Sequence, residues 1–208
     1  MKVPLPIVLE GRHVRLEPLE ARHLEGLRAA GDEDPDIFRF MTLNPVIVGW
    51  ETWFAEAAAG QATGRYVCWA TVLRDGCRVI GSTRYGDIEP AHGRVEIGWT
   101  WLAQSQRRTA ANTEAKYLQL RHAFDDLGAT RVAFKTDARN ERAQHALERI
   151  GAIREGVLRS HTRLSDGYLR DTVYYSVIAP EWPGVRKRLE ARLEALGPDG
   201  RLAGRPPG

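Results

Sequence analysis

The chain has 208 residues, of which 43% are hydrophobic and 27% are charged, a composition typical of one globular domain with a substantial core. Its formal net charge of +3 is small and is not concentrated in a basic run, which argues against a nucleic-acid-binding protein. The prolines in residues 3–9 and the lack of any apolar run of about 18 residues argue against a signal peptide and a membrane span. The sequence therefore predicts a cytoplasmic protein.

The first half of the chain predicts two helices followed by a strand meander. Residues 14–19 alternate like a strand, residues 20–31 form a helix that ends at a glycine, and residues 50–60 form a second helix. Three strand-like runs then follow, at 65–74, 77–90 and 94–103. Asp75-Gly76 predicts a hairpin turn between the first two of them.

The second half alternates helices with strands. The predicted order is helix, strand, helix, hairpin and final helix, at 113–127, 131–138, 140–151, 152–179 and 185–196. The Gly/Pro-rich residues 197–208 predict a disordered tail. We see no internal repeat and no linker, so we expect one mixed α/β domain over residues 1–196.

A phosphate-binding loop is the first functional feature of the sequence. The stretch QSQRRTAANTEAKYLQL places two arginines and several small residues directly before a helix. The first N–H groups of a helix lack partners within it and attract anions. Small side chains let an anion reach that backbone, and arginines add positive charge. The alternative is a capped surface helix with two solvated arginines.

The same stretch resembles a known motif. Arg107, Arg108, Thr109, Ala110, Ala111 and Asn112 are similar to the loop Q/R-x-x-G-x-G/A of the GNAT superfamily, the acetyl-CoA-dependent N-acetyltransferases. Ala110 stands where the family has glycine, and Asn112 replaces the second small residue. "VEIGWTWL" (95–102) resembles the preceding strand of that family, and "NERAQHALERIGA" (140–152) resembles its later helix.

The C-terminal part of the chain is similar to one branch of that superfamily. Residues 155–177, "EGVLRSHTRLSDGYLRDTVYYSV", resemble the closing hairpin of the RimJ/RimL branch, which is named for acetylating N-termini of ribosomal proteins. The resemblance as a whole runs from about residue 12 to 179. It implies a mostly antiparallel, twisted sheet with one splayed parallel strand pair, flanked by helices.

The resemblance also implies where the co-substrate acetyl-CoA binds. Its pantetheine arm is expected between strands 94–103 and 131–138, and its diphosphate at residues 107–112. Backbone N–H groups near Trp101 and Leu102 would polarise the acetyl carbonyl, and such a donor stabilises the developing oxyanion. Asn140 is expected to hydrogen-bond the cofactor arm. A plain N-cap for its own helix is the alternative, and the two roles are compatible.

Glu96 is the predicted general base. It lies within the otherwise apolar run "VEIGW", and the acceptor amine must lose a proton before it attacks. A partly buried carboxylate has a raised pKa, which suits a base that acts through water. Two alternatives are a Glu96 side chain that faces solvent and one that pairs with an arginine.

The chain departs from the family at two hydroxyl positions. Leu147 stands where many members have a tyrosine acid, and Ala143 stands where RimJ/RimL-like members often have serine. Either the thiolate departs with little help, because a thiol is a fair leaving group, or another residue is the acid. Tyr174 and Tyr175 are candidates for that role, although we expect one of them to pack in the core. A catalytically silent CoA-binding domain therefore remains an alternative to an enzyme.

The acceptor class follows from the RimJ/RimL resemblance. It implies the α-amino group of a protein or peptide as acceptor, with a small-molecule amine as the alternative. The absence of HExxH and CxxC motifs predicts no metal. The sequence also leaves open whether the protein forms a homodimer.

Overall fold

The computed structural model describes residues 1–197 and Gly200. One sheet contains eight strands: β1 (Leu9–Glu10), β2 (Val14–Pro18), β3 (Val67–Leu73), β4 (Val79–Glu89), β5 (Arg94–Leu102), β6 (Arg131–Asp137), β7 (Ile153–Arg163) and β8 (Leu169–Ile178). Six α-helices flank it: α1 (Leu24–Asp32), α2 (Pro45–Val48), α3 (Trp50–Ala62), α4 (Ala110–Arg121), α5 (Glu141–Ile150) and α6 (Trp182–Glu194). The disordered tail predicted at 197–208 lies outside the described residues, apart from Gly197 and Gly200.

The sheet is mostly antiparallel. Its strand order is β1-β2-β3-β4-β5-β6-β8-β7, and only β5 and β6 pair in parallel. The crossover between these two strands contains α4. The predicted mixed α/β fold with one parallel pair is confirmed. β1 and α2 were not predicted, because elements of two and four residues are too short to show a periodicity.

Each face of the sheet carries its own core, because successive side chains of a strand point to opposite faces. On β5, Val95 and Ile97 pack into the core that contains α4 and α6. Trp101, beyond a bulge in the strand, packs into the second core together with α1 and α3. Glu96 lies between two residues of the first core and therefore points to the opposite face. We call this opposite face, on β5, β6 and β8, the acceptor face.

Helix α4 is fixed to the sheet by a buried carboxylate. The Glu114 side chain accepts hydrogen bonds of 2.7 Å from the backbone N–H groups of Arg12, His13 and Val14, at the start of β2. Charge-assisted bonds of this kind are stronger than neutral ones. The N-terminus of α4 is therefore held in a fixed position relative to the sheet.

The structure begins α4 three residues earlier than the sequence predicted. Thr109 has extended backbone and is the N-cap, and its Oγ1 accepts from the N–H of Ala111 at 3.2 Å. At the other end the helix continues into a π-helical turn, His122–Asp126, before Gly128 reverses the chain at φ +72°. The apolar periodicity marks the middle of α4, whereas its cap marks the start.

Candidate active site

The two parallel strands separate after a short ladder. β5 and β6 pair at three positions, the last of them Glu96 with Ala133. On its other side β5 carries a bulge, since two of its residues lie between the partners of Ser82 and Arg84. Trp99, in this bulge, has a φ of +50°. The ladder between β5 and β6 therefore ends before the bulge, and we call the region between the two strands beyond Glu96 and Ala133 the gap.

A buried polar cluster supports the bulge from the side of α4. Thr100 Oγ1 lies 2.7 Å from Thr83 Oγ1 on β4. Lys116 Nζ, on α4, donates to Thr100 Oγ1, to Thr83 Oγ1 at 3.2 Å and to Gln119 Oε1 at 3.3 Å. No carboxylate pairs with this ammonium among the described residues, and burial lowers the pKa of Lys116 to about 7.

The two predicted donors at the end of β5 point in different directions. The N–H of Ala103 donates to Ile80 O on β4 at 2.7 Å. Successive N–H groups of an extended strand alternate in direction. The N–H of Leu102 is therefore directed toward the gap and that of Trp101 toward β4. Of the two residues, Leu102 is the better placed to donate to a group in the gap.

The predicted phosphate-binding loop lies at the N-terminus of α4. Ala110 and Ala111 are buried in its first turn, followed by the partly exposed Asn112. Thr109 Oγ1 also donates to Gln106 O at 2.9 Å, which holds the loop closed. The N–H of Ala110 donates to Gly200 O at 2.7 Å, so a backbone oxygen already occupies the first donor of this helix.

The two arginines of the loop differ in their surroundings. Arg107 forms an ion pair with Asp34, which follows α1. Arg108 is exposed and has a φ of +61°, a left-handed conformation at the turn into the helix. A third cation, Arg142, lies on the first turn of α5; desolvation and then the nearby Arg107 lower its pKa. The sequence analysis missed Arg142, because no motif links α5 to the loop.

Asn140 caps α5, as one of its two predicted roles requires. Its Oδ1 accepts from the N–H of Ala143 at 3.1 Å. Asn140 also lines a cavity of about 300 Å³ between residues 34–40 and 139–142. The cavity places Asn140 beside the segment that carries Asp34, the partner of Arg107.

Glu96 is buried on the acceptor face, with 6% of its surface exposed. Its Oε2 lies 2.8 Å from Lys135 Nζ on β6, and Lys135 lies 3.7 Å from Asp87. Burial raises the pKa of Glu96, and Lys135 offsets part of the rise. Burial favours neutral Lys135, but Glu96 together with Tyr174 and Asp87 outweighs burial and raises the pKa of that lysine. The solvent-facing alternative is wrong, and the partner is a lysine rather than an arginine.

The two tyrosines of β8 lie on opposite faces of the sheet. Tyr175 is fully buried in the core with α4 and α6, and its hydroxyl donates to Glu148 at 3.0 Å. Tyr174 lies on the acceptor face, where Lys135 Nζ stands 5.3 Å from its ring centre. The expectation that one of them packs in the core is confirmed, and Tyr174 is the one near Glu96.

A segment before α2 and the β7–β8 hairpin meet beside this face. The backbone N–H of Asn44 donates to Ser165 Oγ at 3.0 Å, and Ser165 Oγ donates to Thr42 O at 3.0 Å. The Arg139 guanidinium stacks on Tyr168 of the hairpin at 3.5 Å and lies 5.3 Å from the ring of Phe40. These contacts close one side of the acceptor face.

Neither a membrane-spanning helix nor a metal-binding cluster occurs among the described residues. None of its helices combines the length and the apolar character that a membrane-spanning helix requires. No group of three or more His, Cys, Asp or Glu side chains in residues 1–197 is arranged to hold a metal ion.

Comparison with known proteins identifies the family. The family model described as "Acetyltransferase (GNAT) domain" matches residues 13–153. A GCN5-related N-acetyltransferase from Brucella melitensis is 30% identical, covers 96% of this chain and 92% of its own, and has a TM-score of 0.88. An inferred acetyltransferase from T. thermophilus is 47% identical over 91% of this chain and 98% of its own, with a TM-score of 0.82.

A more distant solved structure shares the fold. Mycobacterium smegmatis RimJ, in complex with CoA-disulfide, is 24% identical over 88% of this chain and 90% of its own, with a TM-score of 0.71. A search of curated proteins gave no match. The family model spans most of the chain, and the short parallel ladder of β5 and β6 with the bulge in β5 fits the GNAT fold. The chain therefore belongs to the GNAT family and is an acetyl-CoA-dependent N-acetyltransferase.

Proposed function

We propose that this enzyme acetylates the α-amino group of a protein or peptide, as in the RimJ/RimL branch. One observation carries the proposal: the strands β5 and β6 separate after Glu96 and Ala133, so the gap between them opens next to a buried carboxylate. An amine that enters from the acceptor face meets Glu96, while the opposite side of the gap faces α4. The gap therefore has separate sides for the two substrates.

Acetyl-CoA supplies a thioester-activated acetyl group to this site. Arg107, Arg108, Thr109, Ala110, Ala111 and Asn112 would hold its diphosphate at the start of α4, where the diphosphate would replace Gly200 O as the partner of the Ala110 N–H. The Asp34 partner of Arg107 keeps that guanidinium near the loop in the free enzyme. We assign the oxyanion contact to Leu102, with Trp101 preceding it, because the Leu102 N–H is directed toward the gap. Asn140 would use the amide nitrogen that its capping role leaves available.

Glu96 is the proposed base, acting through a water molecule. Its raised pKa makes it a better proton acceptor than an ordinary glutamate, and Lys135 orients one of its oxygens. Tyr174 is the proposed acid for the departing thiolate, since Leu147 and Ala143 carry no hydroxyl group. A thiol is a fair leaving group, so the demand on this acid is small.

We propose a protein or peptide as the acceptor. The contacts of Ser165 with residues 42–44 form a wall on one side of the acceptor face, and an extended peptide would lie toward β7, the strand at the end of the described sheet. A small-molecule amine is the alternative acceptor. The proposal treats residues 1–196 as one acetyltransferase domain and places it in the cytoplasm, where the free thiols of Cys68 and Cys77 are stable.

Removal of the loop arginines tests the cofactor site. Arg107→Ala combined with Arg108→Ala should weaken CoA binding by at least about tenfold, since each charge-assisted contact is worth about 1.5–3 kcal/mol. Isothermal titration calorimetry measures the affinity. A control variant, Arg28→Ala with Arg186→Ala, removes the same charge from exposed ion pairs on α1 and α6 and should keep the affinity. If the Arg107→Ala, Arg108→Ala variant and the control variant both fold and bind CoA with equal affinity, the loop is not part of the CoA site.

A screen of acceptors tests the reaction. Thiol release from acetyl-CoA is followed with a thiol-trapping dye, for peptides with a free N-terminus, the same peptides with a blocked N-terminus, and small amines. We expect release with free N-termini and none with blocked ones. Activity confined to small amines would overturn the protein acceptor, and CoA binding without release on any amine would overturn the enzymatic role.

A further inference from the structure

Arg170 is a buried cation that forms no ion pair with the described residues of the chain. It lies on β8 with 8% of its surface exposed. In the described part of the protein its hydrogen bond runs from Nε to Thr172 Oγ1 at 3.0 Å, and no carboxylate forms an ion pair with it. Burying a charge costs free energy unless a partner compensates. Among the described residues, the terminal nitrogens of this guanidinium have no hydrogen-bond partner.

The nearby carboxylates are already engaged. Asp137 accepts from Arg139 at three nitrogens, over distances of 2.7–3.0 Å. Glu96 pairs with Lys135. Both carboxylates are close enough to oppose the effect of burial, which lowers the pKa of Arg170. Neither carboxylate accepts the two parallel N–H hydrogen bonds that the Arg170 guanidinium can donate.

Arg170 shares the acceptor face with the proposed base. Tyr175 points into the core with α4, so Arg170, Thr172 and Tyr174 point to the other face, by the two-residue period of the strand. Lys135 contacts Glu96 directly, and its ammonium lies beside the ring of Tyr174. Glu96 and Tyr174 are in turn close enough to Arg170 to act on its charge. An amine near Glu96 thus lies on the same surface as the Arg170 guanidinium.

We propose that Arg170 binds a carboxylate group of the acceptor, only a few bonds from the amine that is acetylated. This inference rests on the proposed function and names the acceptor chemistry. The carboxylate has two possible sources: the α-carboxylate of a free amino acid, or an acidic side chain at the first or second position of a peptide. Both present the same two oxygens to the guanidinium.

Matched acceptors test the proposal. The value of kcat/KM is measured for glutamine against glutamine amide, which differ only in the α-carboxylate, and for peptides that begin with Asp or Glu against the same peptides with Asn or Gln. We expect the carboxylate acceptor to exceed its amide by about ten- to a hundredfold in at least one of the two series, the range of a hydrogen bond to a charged group. The series that shows the preference identifies the source. Equal kcat/KM within every pair would overturn the proposal.

Variants assign the preference to Arg170. Arg170→Gln should bring the acid-to-amide ratio close to one, with the KM for acetyl-CoA unchanged, and Arg170→Lys should leave an intermediate ratio. Arg163→Gln is the control, because Arg163 is exposed on β7 and its guanidinium donates to Gly167 O in the hairpin turn. If Arg170→Gln does not fold, the acid-to-amide ratio of Arg170→Lys decides the assignment. A ratio that survives in either folded variant would overturn the assignment.

A binding experiment separates this proposal from the proposed function. Calorimetry with CoA-saturated protein compares the same acids and amides and needs no turnover. Acetylation of amines without any carboxylate preference overturns the role of Arg170 alone. Failure to acetylate any amine overturns the proposed function. In that case a calorimetric preference for the acids that is lost in Arg170→Gln supports the carboxylate site, and a preference that persists in this variant overturns it.

Discussion

Replacement of Glu96 by glutamine is expected to lower the turnover number at neutral pH by about 10²–10⁴-fold, the range for loss of a general base. Glutamine has the same shape, so fold and CoA affinity should persist. Because burial raises the pKa of Glu96, wild-type activity should fall on the acid side at a higher pH than an ordinary glutamate would give. The variant should lack this acid limb and recover part of its activity at high pH, where the amine deprotonates by itself. The pH–rate profile measures both effects.

The ion pair with Lys135 provides a second test of the same base. Removing a cation destabilises a nearby carboxylate, so Lys135→Met should raise the pKa of Glu96 further and move the acid limb to higher pH. Glu89→Gln is the control, since that exposed carboxylate lies 3.9 Å from Arg94 at the end of β4. A limb that does not move, with full activity in Glu96→Gln, would show that the proton leaves through water or Tyr174. A lower melting temperature alone would indicate a structural Glu96.

The burial of Glu96 was predictable, but its partner was not. A single glutamate inside an apolar strand predicts a carboxylate on a partly covered face. The partner depends on the register of the parallel ladder, in which Glu96 lies opposite Ala133. Lys135, two residues further on, therefore shares its face. A register between strands about 40 residues apart depends on how α4 packs between them, and no local pattern in the sequence specifies that packing.

The same limit explains why Arg170 escaped the sequence analysis. An arginine next to a hairpin turn is most often a solvated residue, and nothing near it in the sequence suggests burial. In the structure β7 contains an irregularity between Leu158 and Thr162, opposite a continuous β8. This extra length changes which residues of the two strands face each other. The elements of the hairpin were predicted correctly, whereas the surroundings of its side chains required the three-dimensional register.

Helix α4 shows where a simple amphipathic pattern fails. Its apolar residues predicted one buried stripe, yet Glu114, Lys116 and Gln119 are buried as well. The helix contacts the strands β1 and β2 of the sheet and also packs against α6, so most of its residues are buried. Polar residues on such a helix must find partners inside the protein. Glu114 finds backbone N–H groups, and Lys116 finds the hydroxyls beneath the bulge of β5.

Replacement of Lys116 by methionine is expected to change how stability depends on pH. The pKa of Lys116 is about 7 in the folded protein, against 10.5 for an ordinary lysine. Between these values the unfolded chain binds a proton that the folded chain does not, so the free energy of unfolding of the wild type should rise with pH, by up to about 1.4 kcal/mol per pH unit. Below pH 7 both states are protonated, and the full cost of burying the charge remains.

Lys116→Met removes this titration and keeps a side chain of similar length. We therefore expect the variant to gain stability relative to the wild type at pH 7 and to lose that advantage toward pH 10. The difference between the two proteins should change by on the order of 3 kcal/mol across this range. Urea unfolding at several pH values measures it, with the exposed Lys187→Met on α6 as control. The hydroxyls of Thr83 and Thr100 still pair with each other in the variant, so the bulge keeps a support. Parallel stability profiles for wild type and Lys116→Met would mean that the ammonium keeps its charge inside the protein, compensated by its three oxygen partners.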